Sequence, residues 1–408
     1  MYDVETLIIG GGQAGLALSY YLSQERRENL VLEKAAKPAH AWRNERWDSF
    51  CLNTPNSFLK MPGMEYRGSD PEGFMSRNDV VGYLESYIRE YQLPVQYESP
   101  ASSVEQNQAG DGYCVKTGGK EYQAVNVVVA TGLFHRPRVP TFARDLPAGV
   151  LQLDSATYRN PQALPPGAVL VVGSGQSGCQ IAEELYQSGR QVYLCTGSAG
   201  RVPRWYRGRD TLEWLNLTGF FDRTPDMLSS PKARFAGNPH ISGVDGGHTI
   251  NLHQFVRDGV TLLGRIDGVR DHKVVLAPDL RENLAKADKI EGDLLRSIDQ
   301  YIEKNGLQAP EASLPRLEDG YRQDELLELD LGGAGISTVI WAAGYSFDFS
   351  LVKLPVFDAD GFPTGRRGVT QYRGLYFLGL PWLHKFKSGL LLGVGEDARY
   401  LASHIAGA

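Results

Sequence analysis

Short apolar runs, each followed by a glycine-rich turn and a helical pattern, occur twice along this chain. The first run covers residues 6–9 and the second covers residues 169–172. After each turn, apolar positions recur at helical spacing, and a further apolar run follows, at residues 29–32 and 191–195. This order predicts two β–α–β units with parallel strands. We therefore expect an α/β protein with two similar halves.

Both turns have the spacing Gly-x-Gly-x-x-Gly. The first glycine permits a tight turn, the second lets the backbone approach a pyrophosphate, and the third lets helix and strand pack closely, with phosphate at the helix N-terminus. A strand before and a helix after each turn make the pattern specific. The residues expected to contact a cofactor are Gly10, Gly12, Gln13, Ala14 and Gly15 in the first turn, and Gly173, Gly175, Gln176, Ser177 and Gly178 in the second. Two such turns indicate two dinucleotides, a tightly held flavin and a transient nicotinamide.

An acidic residue ends the second apolar run of the first unit. Glu33 lies 18 positions after Gly15, a spacing at which a carboxylate accepts both hydroxyls of an adenosine ribose. A carboxylate there repels a 2′-phosphate, so this unit is expected to bind FAD or NAD rather than NADP, and an N-terminal unit of this kind usually binds FAD. Lys34, the next residue, is included in the expected site. A strand-end glutamate without a ligand is the alternative.

The second unit ends differently, because Thr196 stands where an acid would favour NAD. Arginines follow closely and could neutralise a 2′-phosphate. We expect Arg201 and Arg204 to do so, with Arg207 and Arg209 nearby; a solvated basic loop is the alternative. NADPH is therefore the expected reductant, with NADH usable.

Strands that end in Ala-[Thr or Ala]-Gly recur at residues 130–132 and 342–344 and are typical of chain crossings between two nucleotide domains. We expect an FAD domain at residues 1–163 and 331–408, and an NAD(P)H domain at residues 164–330 with an insertion at about 205–310. Helical periodicity predicts helices over residues 80–91, 177–188, 283–305 and 394–405. The aromatic segment that begins at Trp205 is a candidate substrate lid, dimer contact or plain core.

Composition narrows the class of protein. The net charge of −6 does not favour nucleic-acid binding, and no run of about 18 apolar residues predicts a membrane span. No signal peptide is recognised, so a cytoplasmic location is expected. The four cysteines form no C-x-x-C pair, and no histidine has metal-ligand spacing, so no metal site is expected.

Taken together, these motifs resemble the class B flavin-dependent monooxygenases of the flavin-containing monooxygenase type. The resemblance spans nearly the whole chain and rests on both glycine turns, residues 46–55, 130–132 and 343–345, and a linker at residues 154–161. Asp154 and Thr196 are two departures from the family pattern. The resemblance implies two Rossmann-like dinucleotide-binding domains on a glutathione-reductase-like plan, with a discontinuous FAD domain and an inserted NADP domain.

The resemblance also implies the chemistry. FAD reduced by NADPH adds O2 as a C4a-(hydro)peroxyflavin, which oxygenates a nucleophilic nitrogen or sulfur, or a carbonyl carbon as in Baeyer-Villiger reactions. The implied partners are a small organic substrate and O2, with a homodimer left open. Asn53 matches the flavin-facing asparagine of the family and is the candidate catalytic residue; a loop-capping asparagine is the alternative. Further expected cofactor contacts are Trp42, Arg43, Thr131, Gly132, Ala343, Gly344, Gly379, Leu390 and Leu391.

Two other functions are compatible with a two-nucleotide plan. An NAD(P)H:acceptor flavin oxidoreductase or oxidase would reduce its acceptor without inserting oxygen. A non-catalytic flavoprotein would act as a redox sensor. A disulfide reductase of the thioredoxin reductase type is disfavoured, because such an enzyme needs the redox cysteine pair that this sequence lacks.

Overall fold

Two largely parallel sheets, one for each glycine turn, organise the computed structural model, which describes residues 3–407. The strands are β1 (Val4–Ile9), β2 (Asn29–Leu32), β3 (Lys60–Met61), β4 (Met64–Glu65), β5 (Val95–Gln96), β6 (Ala101–Gln106), β7 (Tyr113–Thr117), β8 (Glu121–Val129), β9 (Arg136–Pro137), β10 (Leu151–Asp154), β11 (Ala168–Val172), β12 (Val192–Cys195), β13 (Trp205–Tyr206), β14 (Arg209–Asp210), β15 (Thr261–Leu263), β16 (Ile266–Arg270), β17 (Lys273–Leu276), β18 (Glu328–Asp330), β19 (Ile336–Trp341), β20 (Tyr345–Ser346) and β21 (Leu375–Phe377). The helices are α1 (Gln13–Gln24), α2 (His40–Asn44), α3 (Arg77–Glu90), α4 (Gln176–Gln187), α5 (Thr211–Leu217), α6 (Leu252–Arg257), α7 (Leu280–Asn305), α8 (Asp319–Arg322) and α9 (Val394–Ala406).

The first sheet has the order β5-β2-β1-β8-β7-β6, and β21 also pairs with β8. Strand β1 lies between β2 and β8 and is parallel to both. Its apolar residues Leu7 and Ile8 are fully buried, as are Val127 and Val128 of β8. A strand covered on both faces needs a continuous apolar run rather than an alternating one, and this requirement explains the sequence pattern.

The second sheet is parallel throughout and has the order β10-β19-β11-β12-β15. Strands β10 and β19 lie in ranges that the sequence assigned to the FAD domain, and their pairing places them in the second sheet instead. Strand β19 runs alongside the fingerprint strand β11, and β10 pairs with the other edge of β19. Because both strands belong to the second sheet, we propose that the second unit extends from β10 to β19.

Several predicted helices are confirmed with small changes at their ends. Helix α4 begins one residue before the expected position, and α7 begins at Leu280 and ends at Asn305, with Gly306 in the left-handed conformation as its cap. Helix α3 begins after Ser76, whose side chain forms a capping box with Asp79. Helix α9 covers the predicted C-terminal range.

The aromatic segment after Trp205 forms part of the core and contacts the first unit. Trp214 is buried and its indole N–H donates to the Tyr206 carbonyl at 2.7 Å. Phe221 is buried against Phe58 of the first unit, with the ring centroids 6.1 Å apart. Of the three roles left open by the sequence, packing in the core is the one that these side chains show.

The chain passes between the two sheets twice, and the two passages pair with each other. Strand β9 lies on the outgoing passage and β20 on the returning one, and they form a short antiparallel ribbon. Among the helices of residues 3–407, none is both long enough and apolar enough to cross a membrane.

Candidate functional site

The two glycine turns have nearly identical geometry. Gly10 and Gly173 both have positive φ angles, +112° and +110°. A Cβ at Gly10 would lie 2.6 Å from the Ala130 carbonyl oxygen, and a Cβ at Gly173 would lie 2.6 Å from that of Ala342. Only glycine fits these positions, because both the backbone conformation and the adjacent strand end exclude a side chain.

The third glycine of each turn is excluded from substitution by its own turn. A Cβ at Gly15 would lie 2.0 Å from the Gly10 oxygen, and one at Gly178 would lie 1.7 Å from the Gly173 oxygen. Helices α1 and α4 therefore start in close contact with the strands that precede them. Gln13 and Ala14 are in the first turn of α1, and Gln176 and Ser177 are in the first turn of α4.

The second glycine of each turn faces open space. Nothing lies within 4 Å of a Cβ built at Gly12 or at Gly175. Both residues are the caps of their helices, and neither cap uses a side chain to bind the free N–H groups of the first turn. Unoccupied backbone donors at the positive end of a helix fit a pyrophosphate.

The Glu33 carboxylate is fixed beside the first turn by two backbone donors. Its Oε2 accepts from the Gly11 N–H and its Oε1 accepts from the Ala35 N–H, both at 2.9 Å. The residue is 7% exposed. Each oxygen retains a lone pair, so the oriented carboxylate can accept further hydrogen bonds. Lys34, the next residue, is exposed.

Other segments of the first unit meet at the start of α1. The Thr131 hydroxyl is buried and has no hydrogen-bond partner among the described residues. A Cβ at Gly379 would lie 2.3 Å from the Ala14 Cβ, and the Gln13 amide donates to the Gly389 carbonyl at 3.2 Å. An orphaned buried hydroxyl next to an open cradle fits a polar ligand that the protein itself does not supply. Gly132 follows this hydroxyl and has open space at its Cβ position.

The remaining expected residues occupy different surroundings. The Arg43 side chain forms an ion pair with Glu85, and the Trp42 ring packs on Phe50 at 5.9 Å. Leu391 is buried, while Leu390 is half-buried in an apolar cluster that includes Phe221. Ala343 and Gly344 lie in the small-residue turn after β19 and are exposed.

The arginines expected to bind a 2′-phosphate are instead engaged by carboxylates. The Arg201 guanidinium donates to Asp288 and Glu291, both at 2.6 Å, and the residue is 5% exposed. Arg204 is 1% exposed and forms a buried ion pair with Asp210. Their charges are compensated inside the fold, so a phosphate there would compete with carboxylates for both guanidinium groups.

Thr196 also faces inward. Its hydroxyl donates to the Leu263 carbonyl at 2.8 Å and accepts from the Asn283 amide at 3.3 Å. The residue is 2% exposed. Its side chain links the end of β12 to β15 and α7. No carboxylate stands at this position, as the sequence shows.

Asn53 lies at the junction of the two units and is held from two sides. Its side-chain Oδ1 accepts from Gln180 Nε2 at 2.9 Å, and its backbone oxygen accepts from the Arg204 guanidinium at 2.8 Å. Among residues 3–407, Asn53 Nδ2 makes no hydrogen bond. Asn53 is half-buried. The arrangement leaves the Nδ2 amide group available to solvent or to a ligand.

Histidines near this junction are electrostatically distinct. His248 Nε2 lies 2.7 Å from the buried Glu183 carboxylate, and this hydrogen bond raises the pKa of His248. His240 is fully buried beside Arg201, and burial lowers its pKa to about 3, so its ring is neutral.

The sequence analysis did not identify Gln180, Glu183 or the contact of Arg204 with Asn53, because no local motif marks contacts between segments so far apart in the chain.

The cysteines are free thiols in four separate elements or loops. Cys51 and Cys114 are half-buried, whereas Cys179 and Cys195 are buried. Burial raises the pKa of the Cys195 thiol to about 12, which keeps it protonated. Within the described part of the chain, no group of three or more metal-ligating side chains is assembled.

Comparisons with known proteins identify relatives that share this chain's sequence or fold. The family model described as pyridine nucleotide-disulphide oxidoreductase matches residues 7–209. A relative from Bacillus velezensis, named uncharacterized oxidoreductase CzcO, is 31% identical over the full length of both chains. Probable indole-3-pyruvate monooxygenase YUCCA3 of Arabidopsis thaliana is 26% identical over 78% of this chain and 76% of its own.

Among solved structures, the flavin-containing monooxygenase from Stenotrophomonas maltophilia has the same fold. It covers 100% of this chain and 99% of its own, with 19% identity and a TM-score of 0.67. The expected α/β fold with Rossmann-like domains is therefore confirmed, and the protein is an oxidoreductase enzyme. This chain belongs to the same oxidoreductase family as the CzcO relative, and about half of it matches the pyridine nucleotide-disulphide oxidoreductase model.

Proposed function

We propose that this enzyme is an FAD-dependent monooxygenase that uses NADPH and O2 to oxygenate a small organic substrate at nitrogen, at sulfur or beside a carbonyl. The observation that carries the proposal is the position of Asn53. Its amide is held between the two units by Gln180 and Arg204, and its Nδ2 makes no hydrogen bond among the described residues. A donor held there is suited to stabilise negative charge on oxygen.

FAD is assigned to the first cradle. The open side of Gly12 and the start of α1 would receive the pyrophosphate. Glu33 would accept the adenosine ribose hydroxyls with the lone pairs that Gly11 and Ala35 leave free. The unpartnered Thr131 hydroxyl would gain a partner in the bound cofactor.

NADPH is assigned to the second cradle, at Gly175 and the start of α4. The coenzyme preference rests on Thr196, because no carboxylate at the end of β12 repels a 2′-phosphate. Because Arg201 and Arg204 are engaged in ion pairs, the preference for NADPH over NADH should be small, and NADH should also reduce the enzyme.

When bound and reduced, FAD supplies the oxygen chemistry by activating O2 at C4a and delivering one oxygen atom to the substrate. The chain's contribution is to hold Asn53 Nδ2 in place and to exclude water. An apolar cluster beside Leu390 supplies part of that exclusion: Phe58 and Phe221 are buried in it, and Phe220 and Phe386 pack at its edge. An apolar substrate portion would find a compatible surface there.

A second candidate is an NAD(P)H:acceptor oxidoreductase that does not insert oxygen. The observation in its favour is that the full-length relative at 31% identity is named an oxidoreductase. A disulfide reductase has less support, because the four cysteines are free and lie in separate segments.

The deciding experiment is rapid mixing of the NADPH-reduced, FAD-loaded enzyme with O2, followed spectroscopically, with hydrogen peroxide measured alongside. A monooxygenase holds an oxygenated flavin before releasing peroxide, and a panel of amines, sulfides and ketones then diverts peroxide to product. Immediate return of oxidised flavin with stoichiometric peroxide, for every compound in the panel, would establish the second candidate instead.

A further inference from the structure

Gln180 makes an unusual contact for a residue in the middle of a helix. It lies on α4 in the second unit and is 4% exposed, yet its amide nitrogen donates to Oδ1 of Asn53 in the first unit, at 2.9 Å. The two residues are 127 positions apart in the chain. The other amide atom of Gln180, Oε1, is buried without a hydrogen-bond partner. A buried unsatisfied oxygen costs free energy, so this side chain is not explained by optimal packing alone.

The helix that carries Gln180 begins at the second nucleotide cradle. Gln176, in its first turn, accepts from the Ile241 N–H at 3.1 Å and donates to the Ile241 carbonyl. Gln180 follows exactly one i, i+4 step later and therefore lies on the same helical face. One helix face thus contacts Ile241 at one turn and Asn53 at the next.

The hydrogen bond has a direction that matters for Asn53. A primary amide has an acceptor oxygen and a donor nitrogen on opposite sides, so fixing the oxygen also fixes where the two N–H bonds point. Arg204 holds the backbone oxygen of Asn53 and so restrains the main chain. Gln180 then determines which end of the side-chain amide is free.

We propose that Gln180 is a positioning residue for Asn53: by donating to Oδ1, it presents the Asn53 N–H donors, rather than the carbonyl oxygen, to the flavin side of the junction. This proposal rests on the proposed function, which makes Asn53 the contact to the flavin. Ordinary packing between two units would predict that Gln180 matters for stability and not for the orientation of another amide.

Two substitutions separate these explanations. Gln180→Glu keeps the size of the side chain but offers only acceptors when ionised, so Asn53 must turn its Nδ2 toward residue 180 and its oxygen toward the flavin. Gln180→Met keeps the length but removes the hydrogen bond, so the amide is free to rotate. Gln187 lies on the same helix and is exposed, and Gln187→Glu and Gln187→Met are the matched controls.

The first measurement does not depend on oxygen chemistry. In the FAD-loaded, isotope-labelled enzyme, the Asn53 side-chain N–H signals are assigned by their loss in Asn53→Ala. We expect these signals to shift in both Gln180 variants and to stay in place in both Gln187 controls. Unchanged Asn53 signals in Gln180→Glu and Gln180→Met would overturn the proposal, whatever reaction the enzyme performs.

The second measurement follows the oxygenated flavin and the peroxide yield after mixing with O2. Loss of an orienting hydrogen bond should speed decay by roughly 2- to 10-fold in Gln180→Met. Gln180→Glu should approach the effect of Asn53→Ala. In the Asn53→Ala background, neither Gln180 substitution should have a further effect. A full additive effect in that background would overturn the positioning role and leave the monooxygenase assignment intact. If the parent forms no oxygenated flavin, the proposed function fails, and the shift of the Asn53 signals still decides the role of Gln180.

Discussion

Alanine at the middle glycine of each cradle should remove one cofactor at a time without unfolding the protein. Gly12 has φ −81° and ψ −177°, and Gly175 has φ −75° and ψ −173°. Both are extended conformations that alanine adopts without strain. No protein atom lies within 4 Å of the added Cβ at either position. Replacing glycine where the conformation is compatible usually stabilises a protein by about 0.4–1 kcal/mol, so we expect no loss of folding stability.

The cost should appear only when a cofactor binds. The added methyl occupies the space through which a phosphate approaches the backbone donors. Displacing one charge-assisted hydrogen bond costs about 1.5–3 kcal/mol, which corresponds to roughly 10- to 150-fold weaker binding. We expect Gly12→Ala to weaken FAD and spare NADPH, and Gly175→Ala to weaken NADPH and spare FAD.

The assays are titration of the apoprotein with FAD and titration of the FAD-loaded protein with NADP+, each with a thermal unfolding curve. Gly178→Ala is the contrasting variant, because its Cβ would lie 1.7 Å from the Gly173 oxygen. It should destabilise the fold itself. If Gly175→Ala is stable and binds NADP+ as tightly as the parent, the open side of Gly175 is not the phosphate position and the reasoning is wrong.

Three further predictions follow from single side chains. In Glu33→Gln, an NH2 donor replaces one acceptor oxygen and the charge is lost, so the ribose hydroxyls lose a charged acceptor. FAD should then bind about 10- to 150-fold more weakly in apoprotein titrations, and parental affinity would contradict this role. Arg201→Met should destabilise the protein by about 1–3 kcal/mol in denaturant unfolding, because two half-buried carboxylates lose a hydrogen-bond donor. The ratio of NADPH to NADH reduction efficiency should stay constant, and a collapse of that ratio would show that Arg201 contacts the phosphate. Because Glu183 raises the pKa of His248 in the folded state, this pair's stabilisation is full below the ordinary histidine pKa of about 6.5 and is lost as pH rises through the folded value. His248→Gln should flatten that decline in urea unfolding at a series of pH values, and an unchanged slope would show that another group titrates.

The glycine turns could be predicted from the sequence because their constraints are local. Gly10 is fixed by its φ angle and by the strand end next to it, and Gly15 by a carbonyl five residues earlier. A short apolar strand, the glycines of the turn and the first apolar positions of the helix are therefore enough to predict each turn. Helix α7 was predictable for a similar reason, since its apolar period and terminal glycine lie within one segment.

The surroundings of Arg201 and Asn53 could not be predicted in this way. The carboxylates that bind Arg201 are on α7, 87 and 90 residues later, so the segment after β12 carries no signal of these ion pairs. The partner of the Asn53 amide comes from the other unit. The pairing of β10 with β19 could not be predicted either, because strands so far apart in the chain carry no local signal of their partner.

The paired passages between the sheets limit how the two halves can move. Because β9 and β20 are hydrogen-bonded to each other, a displacement of one half cannot stretch one connection without shearing the other. The least costly motion is a rotation about the ribbon as a double hinge. Asn53 and Gln180 belong to opposite halves, so a rotation that separates these faces lengthens their 2.9 Å bond.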